Sequence, residues 1–292
     1  MPQWADARDL QVTPLGGGIT NYNYRLDVGG ESFVVCISGA NTELLGIDRE
    51  NEHAANAAAA ELGVAPEVVA FLRPEGYLVT RLLADARPVP PEEIRRPETI
   101  RRVAETLKRI RGMRPVPGTF SPFRVVEAYA VTARRYGVAF PADFDWLLER
   151  KQQIETAFET HPLAPRPCHN DLLNGNFLDD GNIRILDREY AGMGDITFDL
   201  ANFAINREFG GEHDRLLLES YFGQVTPARL ARLKLMKLMS DFREALWELL
   251  QIGISQLDFD FGEYAEKHFT RMTEGMKDPS WHSWLTEVVH GT

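Results

Sequence analysis

Cys168-His169-Asn170-Asp171-Leu172-Leu173-Asn174-Gly175-Asn176, with Ile185-Leu186-Asp187 shortly after it, is the stretch that decides the fold of this chain. It offers a carboxylate, an amide oxygen five residues later, and a second carboxylate beyond a short turn at Asp179-Asp180-Gly181-Asn182. These groups suit phosphoryl transfer. Asp171 can orient a hydroxyl, while Asn176 and Asp187 supply the hard oxygen ligands that magnesium takes beside nucleotide phosphates. Asn174-Gly175 tolerates the tight turn that brings them to one point. A polar loop capping neighbouring elements would share the first half of the pattern, but it has no need of a carboxylate delivered at the end of the next strand. His169 is expected to pack beneath the loop. Asp199, in Thr197-Phe198-Asp199-Leu200-Ala201, is placed to accept backbone N–H groups of the turn, or else is an ordinary early-helix acid favoured by the helix dipole.

Working outward, residues 22–28 and 32–37 flank Gly29-Gly30, a two-residue hairpin signal. An Ala- and Glu-rich run over 48–62 predicts a helix that ends at Gly63. Residues 67–71 and 77–83 read as strands around Pro74-Glu75-Gly76, and Pro88, Pro90 and Pro91 mark a connector. Beyond it, helical spacing runs over 92–111, 123–136 and 143–160, and Thr226-Pro227 opens a long helix. The expected class is α+β: a β-rich N-lobe over 1–83 and a helical C-lobe over 84–292. A net charge of −11 argues against nucleic acid as a partner, since phosphate contacts need a basic stripe. Two cysteines, an N-terminus without signal-peptide features and no apolar run of membrane-spanning length point to a cytoplasmic protein with no membrane partner.

Leu15-Gly16-Gly17-Gly18-Ile19-Thr20-Asn21 precedes the hairpin. Gly16, Gly17 and Gly18 let backbone N–H groups approach phosphates, although a flexible turn would look the same. Together with Ile47-Asp48-Arg49-Glu50-Asn51-Glu52, the His169–Asn176 loop and Asp187-Arg188-Glu189-Tyr190-Ala191-Gly192, this segment resembles the choline/ethanolamine kinase family. That family lies in the aminoglycoside-phosphotransferase-like branch of the protein-kinase-like fold, and the resemblance spans nearly the whole chain. It implies a two-lobe kinase with ATP and Mg2+ between the lobes and a small-molecule acceptor, an amino alcohol. Asp171 would be the catalytic base and Asn176 and Asp187 the magnesium ligands. Thr20 and Asn21 would lie with the glycines on the nucleotide side, and Thr80, Arg81 and Leu82 would form the hinge strand facing adenine. Glu189 and Tyr190 would face the acceptor, and Glu52 would pair with a phosphate-binding cation. An aminoglycoside, thiamine or sugar acceptor uses the same chemistry.

The cation itself is missing. Phe33-Val34-Val35-Cys36-Ile37 carries Cys36 where the family places Lys or Arg. Counting back through the turn pairs Cys36 with Asn23 and puts Arg25 diagonally on the same face, so Arg25 is the expected substitute and Arg49 the second candidate. Without a substitute, the chain would be an attenuated kinase or a nucleotide-binding regulator. On the long helix, Asp241, Glu244 and Glu248 share one flank beside Trp247. An indole with carboxylates can receive a cationic group, whereas an amphipathic helix would carry the same acids on a solvated face. The resemblance puts Trp247 at the family's second aromatic position and Glu244 at its first, where a carboxylate can accept the N–H donors of a primary amine such as ethanolamine; choline or ethanolamine is the expected acceptor.

Overall fold

The computed structural model describes Trp4, Ala7 and residues 9–16, 21–255 and 259–291. Strands β1 (Gln11–Leu15), β2 (Asn21–Val28) and β3 (Glu31–Ser38) lead into helix α1 (Arg49–Glu61), then β4 (Val68–Leu72) and β5 (Tyr77–Arg81). They form an antiparallel sheet in the order β1-β2-β3-β5-β4. Gly29 and Gly30 turn the β2–β3 hairpin with φ of 60° and 78°, the positive values a primed turn requires. The register places Asn23 opposite Cys36 and Arg25 opposite Val34. Asp48 caps α1 by accepting from the backbone N–H groups of Glu50 and Asn51.

After β6 (Arg87–Pro88) the chain is helical: α2 (Pro91–Ile94), α3 (Pro97–Arg111), α4 (Pro122–Arg135) and α5 (Phe144–Thr160). The single helix expected over 92–111 is broken before Pro97, because proline's ring disfavours helical backbone in the residue ahead of it; Arg96 has ψ of 142°. The short strands β7 (Arg166–Cys168), β8 (Phe177–Asp179), β9 (Ile183–Ile185) and β10 (Gly192–Gly194) frame the loop over 169–176. They pair as β10-β7 and β6-β8-β9. Helices α6 (Ile196–Ile205), α7 (Gly211–Phe222), α8 (Pro227–Ile254), α9 (Phe261–Met276) and α10 (Trp281–His290) complete the chain. Thr226 caps α8 through Arg229 N–H at 3.2 Å.

The apolar core does not stop at the expected lobe boundary. Ala55, Ala58 and Ala59 of α1 belong to the same continuous core as Leu107, Phe203 and Leu246, while Val28, Phe33 and Val79 form a small separate cluster within the sheet. Helix α1 is therefore anchored to the helical body, and one side chain makes the polar part of that anchor. Asn51 Nδ2 donates to Ala191 O at 2.7 Å, and its Oδ1 accepts from Gly118 N–H at 2.6 Å. Because one of these bonds is buried and the other partly so, Asn51→Ala is expected to lower the free energy of unfolding by about 2 kcal/mol. Urea denaturation would show this as a lower midpoint with an unchanged slope.

Candidate active site

The loop after β7 is held by acceptors placed beneath it. Asp199, in the first turn of α6, accepts from His169 N–H at 2.9 Å and from Asn170 N–H at 2.7 Å. Asn202, one turn further, accepts from Leu172 N–H at 2.6 Å and is itself fixed by Ser240 of α8 at 3.0 Å. Arg207, sandwiched against Phe177 and Phe203, donates to Leu172 O. His169 Nδ1 accepts from Asp171 N–H at 3.2 Å, so the proton sits on Nε2 and is donated to Leu186 O at 2.7 Å. That imidazole ties the base's own backbone to the strand leading into Asp187. Burial, with Arg188 nearby, pushes the imidazole down to about 3. Asn170 and Asp187 adopt φ of 67° and 58°, a left-handed conformation that Asn and Asp tolerate better than most residues.

Asn176 Nδ2 donates to Asp171 O at 2.9 Å, which spends the amide's donor on the loop and leaves Oδ1 as an acceptor. Asn176 O accepts from Leu186 N–H at 2.8 Å, fixing the spacing between Asn176 and Asp187. The Asp187 carboxyl is held well above the usual carboxylate range, first by burial and then by Glu189, Glu52 and Asp171. A carboxylate crowded by three others, with a free amide oxygen next to it on the chain's path, fits a hard divalent cation.

Opposite this pair lies a network that joins sheet, α1 and the segment after Asp187. Arg49 donates to Glu52 at 2.7 Å, to Glu189 at 3.4 Å and to Asn21 Oδ1 at 3.1 Å, and Asn21 Nδ2 donates to Glu189 at 2.9 Å. The half-buried Cys36 thiol is pushed up by burial and by Glu52, Asp187 and Glu189, with Arg49 pulling the other way. Arg25 does not join this network. Its guanidinium bonds Asp27 at 2.8 Å and Ser32 at 3.3 Å, toward the hairpin end of the sheet. The register anticipated for Arg25 is present, but a carboxylate two residues along the same face of β2 engages it first. Arg81 is also turned outward, to Glu31 and Glu67, beside Thr80 at the end of β5, while Leu82 N–H is taken by Ser32 O at 3.0 Å. Gly16 is described and open on all sides; Gly17, Gly18 and Thr20 lie outside the described residues.

Helix α8 forms the wall beyond the base. Arg243, 1% exposed, donates to Asp171 Oδ1 at 3.0 Å and to Glu244, and its guanidinium lies 4.3 Å from the centre of the Tyr190 ring. Trp247 Nε1 donates to the Tyr190 hydroxyl at 3.0 Å. The acids of this helix do not form a solvated face: Asp241, Glu244 and Glu248 are all buried. Asp241 is engaged by His268 and Arg271 and is structural. Neither oxygen of Glu248 has a hydrogen-bond donor, and His268 Nε2 is 3.6 Å away. Burial, with Glu244 and Asp241 nearby, pushes the Glu248 carboxyl up to about 9. The Asp171 carboxyl is pushed up to about 7 by burial, with Arg243 opposing and Glu244 and Glu189 adding to the rise. Arg243 was not among the residues expected from sequence. Its signal there is a cation set between the acids Asp241 and Glu244 of the long helix.

The site's geometry gives the loop histidine a definite signature. A base with a depressed folded value stays neutral while its unfolded counterpart charges, so stability contributed by neutral His169 is present above pH about 6.5 and is lost as pH falls toward about 3. In nitrogen NMR of the folded protein, His169 is expected to remain the neutral Nε2–H tautomer from pH 8 to below pH 5. A mid-range titration at about 6.5 would remove its role as a buried tie.

The sequence model of the phosphotransferase enzyme family (APH) matches residues 11–234. Protein LicA of Haemophilus influenzae is 28% identical over 260 residues, covering 86% of this chain and 76% of that protein. Choline/ethanolamine kinase of Rattus norvegicus is 24% identical over 322 residues, covering 91% and 81%. The crystal structure of a choline/ethanolamine kinase family protein from Mesorhizobium loti superposes with a TM-score of 0.86 at 31% identity, covering all of this chain and 96% of that one. Among the described residues, no helix is long and apolar enough to cross a membrane. The chain therefore belongs to the phosphotransferase enzyme family, in its choline/ethanolamine kinase branch, and is an ATP-dependent kinase acting on a hydroxyl group.

Proposed function

We propose that this protein transfers the γ-phosphoryl group of ATP to the hydroxyl of a small amino alcohol of the choline/ethanolamine class. The observation that carries this is the wall beside Asp171. An acid–aromatic patch, buried at Tyr190, Glu244 and Glu248 and half-buried at Trp247, begins one arginine away from the base. A hydroxyl on Asp171 and a cationic group on that patch are the two ends of a short amino alcohol. The names of the relatives agree with that chemistry.

Asp171 accepts the hydroxyl proton as the new O–P bond forms, and the His169 and Asp199 ties hold it without reorganisation. Asn176 and Asp187 are the residues that would hold Mg2+, which when bound would neutralise charge on the phosphates. Arg49 takes the place of the cation that Cys36 cannot supply, because it already pairs with Glu52 one turn along the same helix, α1. This arrangement favours an active kinase over a nucleotide-binding regulator. The division into a nucleotide-side lobe over 1–83 and an acceptor-side lobe over 84–292 follows from the same assignment, with α1 bridging the two. The acidic chain and its small polar site suit a cytoplasmic metabolic enzyme.

Asp171→Asn is expected to lower kcat by about a thousandfold in a magnesium–ATP assay with ethanolamine or choline, since a positioned base contributes that order of acceleration. In the same assay, Arg49→Ala should raise the KM for ATP by about tenfold or more, whereas Arg25→Ala should change it less than about twofold. The reverse order would return the cation's role to Arg25.

A further inference from the structure

We infer that Arg243 makes the acceptor site selective for ammonium groups that keep at least one N–H over quaternary ammonium ions. The inference rests on the amino-alcohol reading of the same site. A quaternary ammonium offers no hydrogen-bond donor and is recognised by the faces of aromatic rings around it. Tyr190 and Trp247 are the bonded pair of rings on this wall, and the Tyr190 face is not open to such a cage. The Arg243 guanidinium covers Tyr190 at 4.3 Å from its centre, so that wall already holds an internal cation. Trp247 spends its N–H on the Tyr190 hydroxyl at 3.0 Å and meets Phe261 edge-on at 6.1 Å.

The remaining groups are the carboxyls of Glu244 and Glu248. Glu244 is held by Arg243, and the fully buried Glu248, one turn along α8, has both oxygens without a donor. An N–H-bearing ammonium supplies the donors those oxygens lack, whereas a trimethylammonium would bury beside them and leave them unmet. Arg243 cannot cheaply move aside for a larger headgroup. It bonds both Asp171 and Glu244 at a position 1% exposed, and its departure would strand two buried carboxylates.

The test is the methylation series of one acceptor. kcat/KM would be measured with wild-type enzyme and magnesium–ATP for ethanolamine, its N-methyl and N,N-dimethyl derivatives, and choline. The expected result is activity on the first three and a loss of about a hundredfold at choline, where the last N–H disappears. Arg243→Met, which uncovers Tyr190, should raise the choline-to-ethanolamine ratio of kcat/KM at least about tenfold, the scale of an uncovered cation–π face. Glu248→Gln should lower kcat/KM for ethanolamine with no gain for choline. Because Arg243→Met removes a buried charge and can fail to fold, the wild-type series decides by itself. Equal kcat/KM for choline and ethanolamine overturns the selectivity. Turnover of none of the four, with turnover of a non-amine alcohol, overturns the amino-alcohol reading and the selectivity with it.

Discussion

The backbone N–H groups of His169 and Asn170 both end on one buried carboxylate, that of Asp199. The rest of the site is arranged around that contact. A turn that carries a left-handed Asn170 and presents Asp171 to the cleft would be costly to keep if its amides had no partner away from water. Asp199 supplies the partner from α6, a helix whose every residue is buried, so the turn inherits the rigidity of the core. Asn202 and Arg207 repeat the arrangement at Leu172, from the same helix and just past its end. His169 then joins the turn to the strand before Asp187. Base and metal-side carboxylate are thus located by one connected set of bonds.

Charge balance across the cleft explains the two arginines. Asp171, Asp187, Glu189 and Glu52 converge there, and close carboxylates raise one another's affinity for protons. Arg49 bridges Glu52 and Glu189 on the sheet side, and Arg243 bridges Asp171 and Glu244 on α8. Asp187 has a hydrogen bond from neither, and its carboxyl is raised first by burial and then by Glu189, Glu52 and Asp171, with Arg49 opposing. A nucleotide with its divalent cation would complete that side. On the α8 side the unmet group is Glu248.

Much of this was legible in the chain because it is local. The Gly29-Gly30 turn, the Asp48 cap on α1, the Asp171–Asn176 spacing and the carboxylate at the end of β9 each depend on a few consecutive residues. The break before Pro97 was equally local and was passed over because helical spacing continued on both sides of it. Arg25 is a different case. Register on a strand identifies a face, but the direction of a long side chain follows from its neighbours, and Asp27 and Ser32 draw Arg25 toward the hairpin.

By itself the sequence determined the fold class, the hairpin register, the spacing of Asp171, Asn176 and Asp187, and a cysteine rather than a cation at position 36. All of these are matters of spacing or of which residue stands where. The tertiary structure alone decided which distant groups meet. It set Arg49 on Glu52 and Glu189, ran the core through α1, buried the acids of α8 and placed Arg243 between Asp171, Glu244 and Tyr190. The physical reason is that an ion pair depends on where two elements pack, and residues 171 and 243 become neighbours only when α8 crosses the core behind the loop.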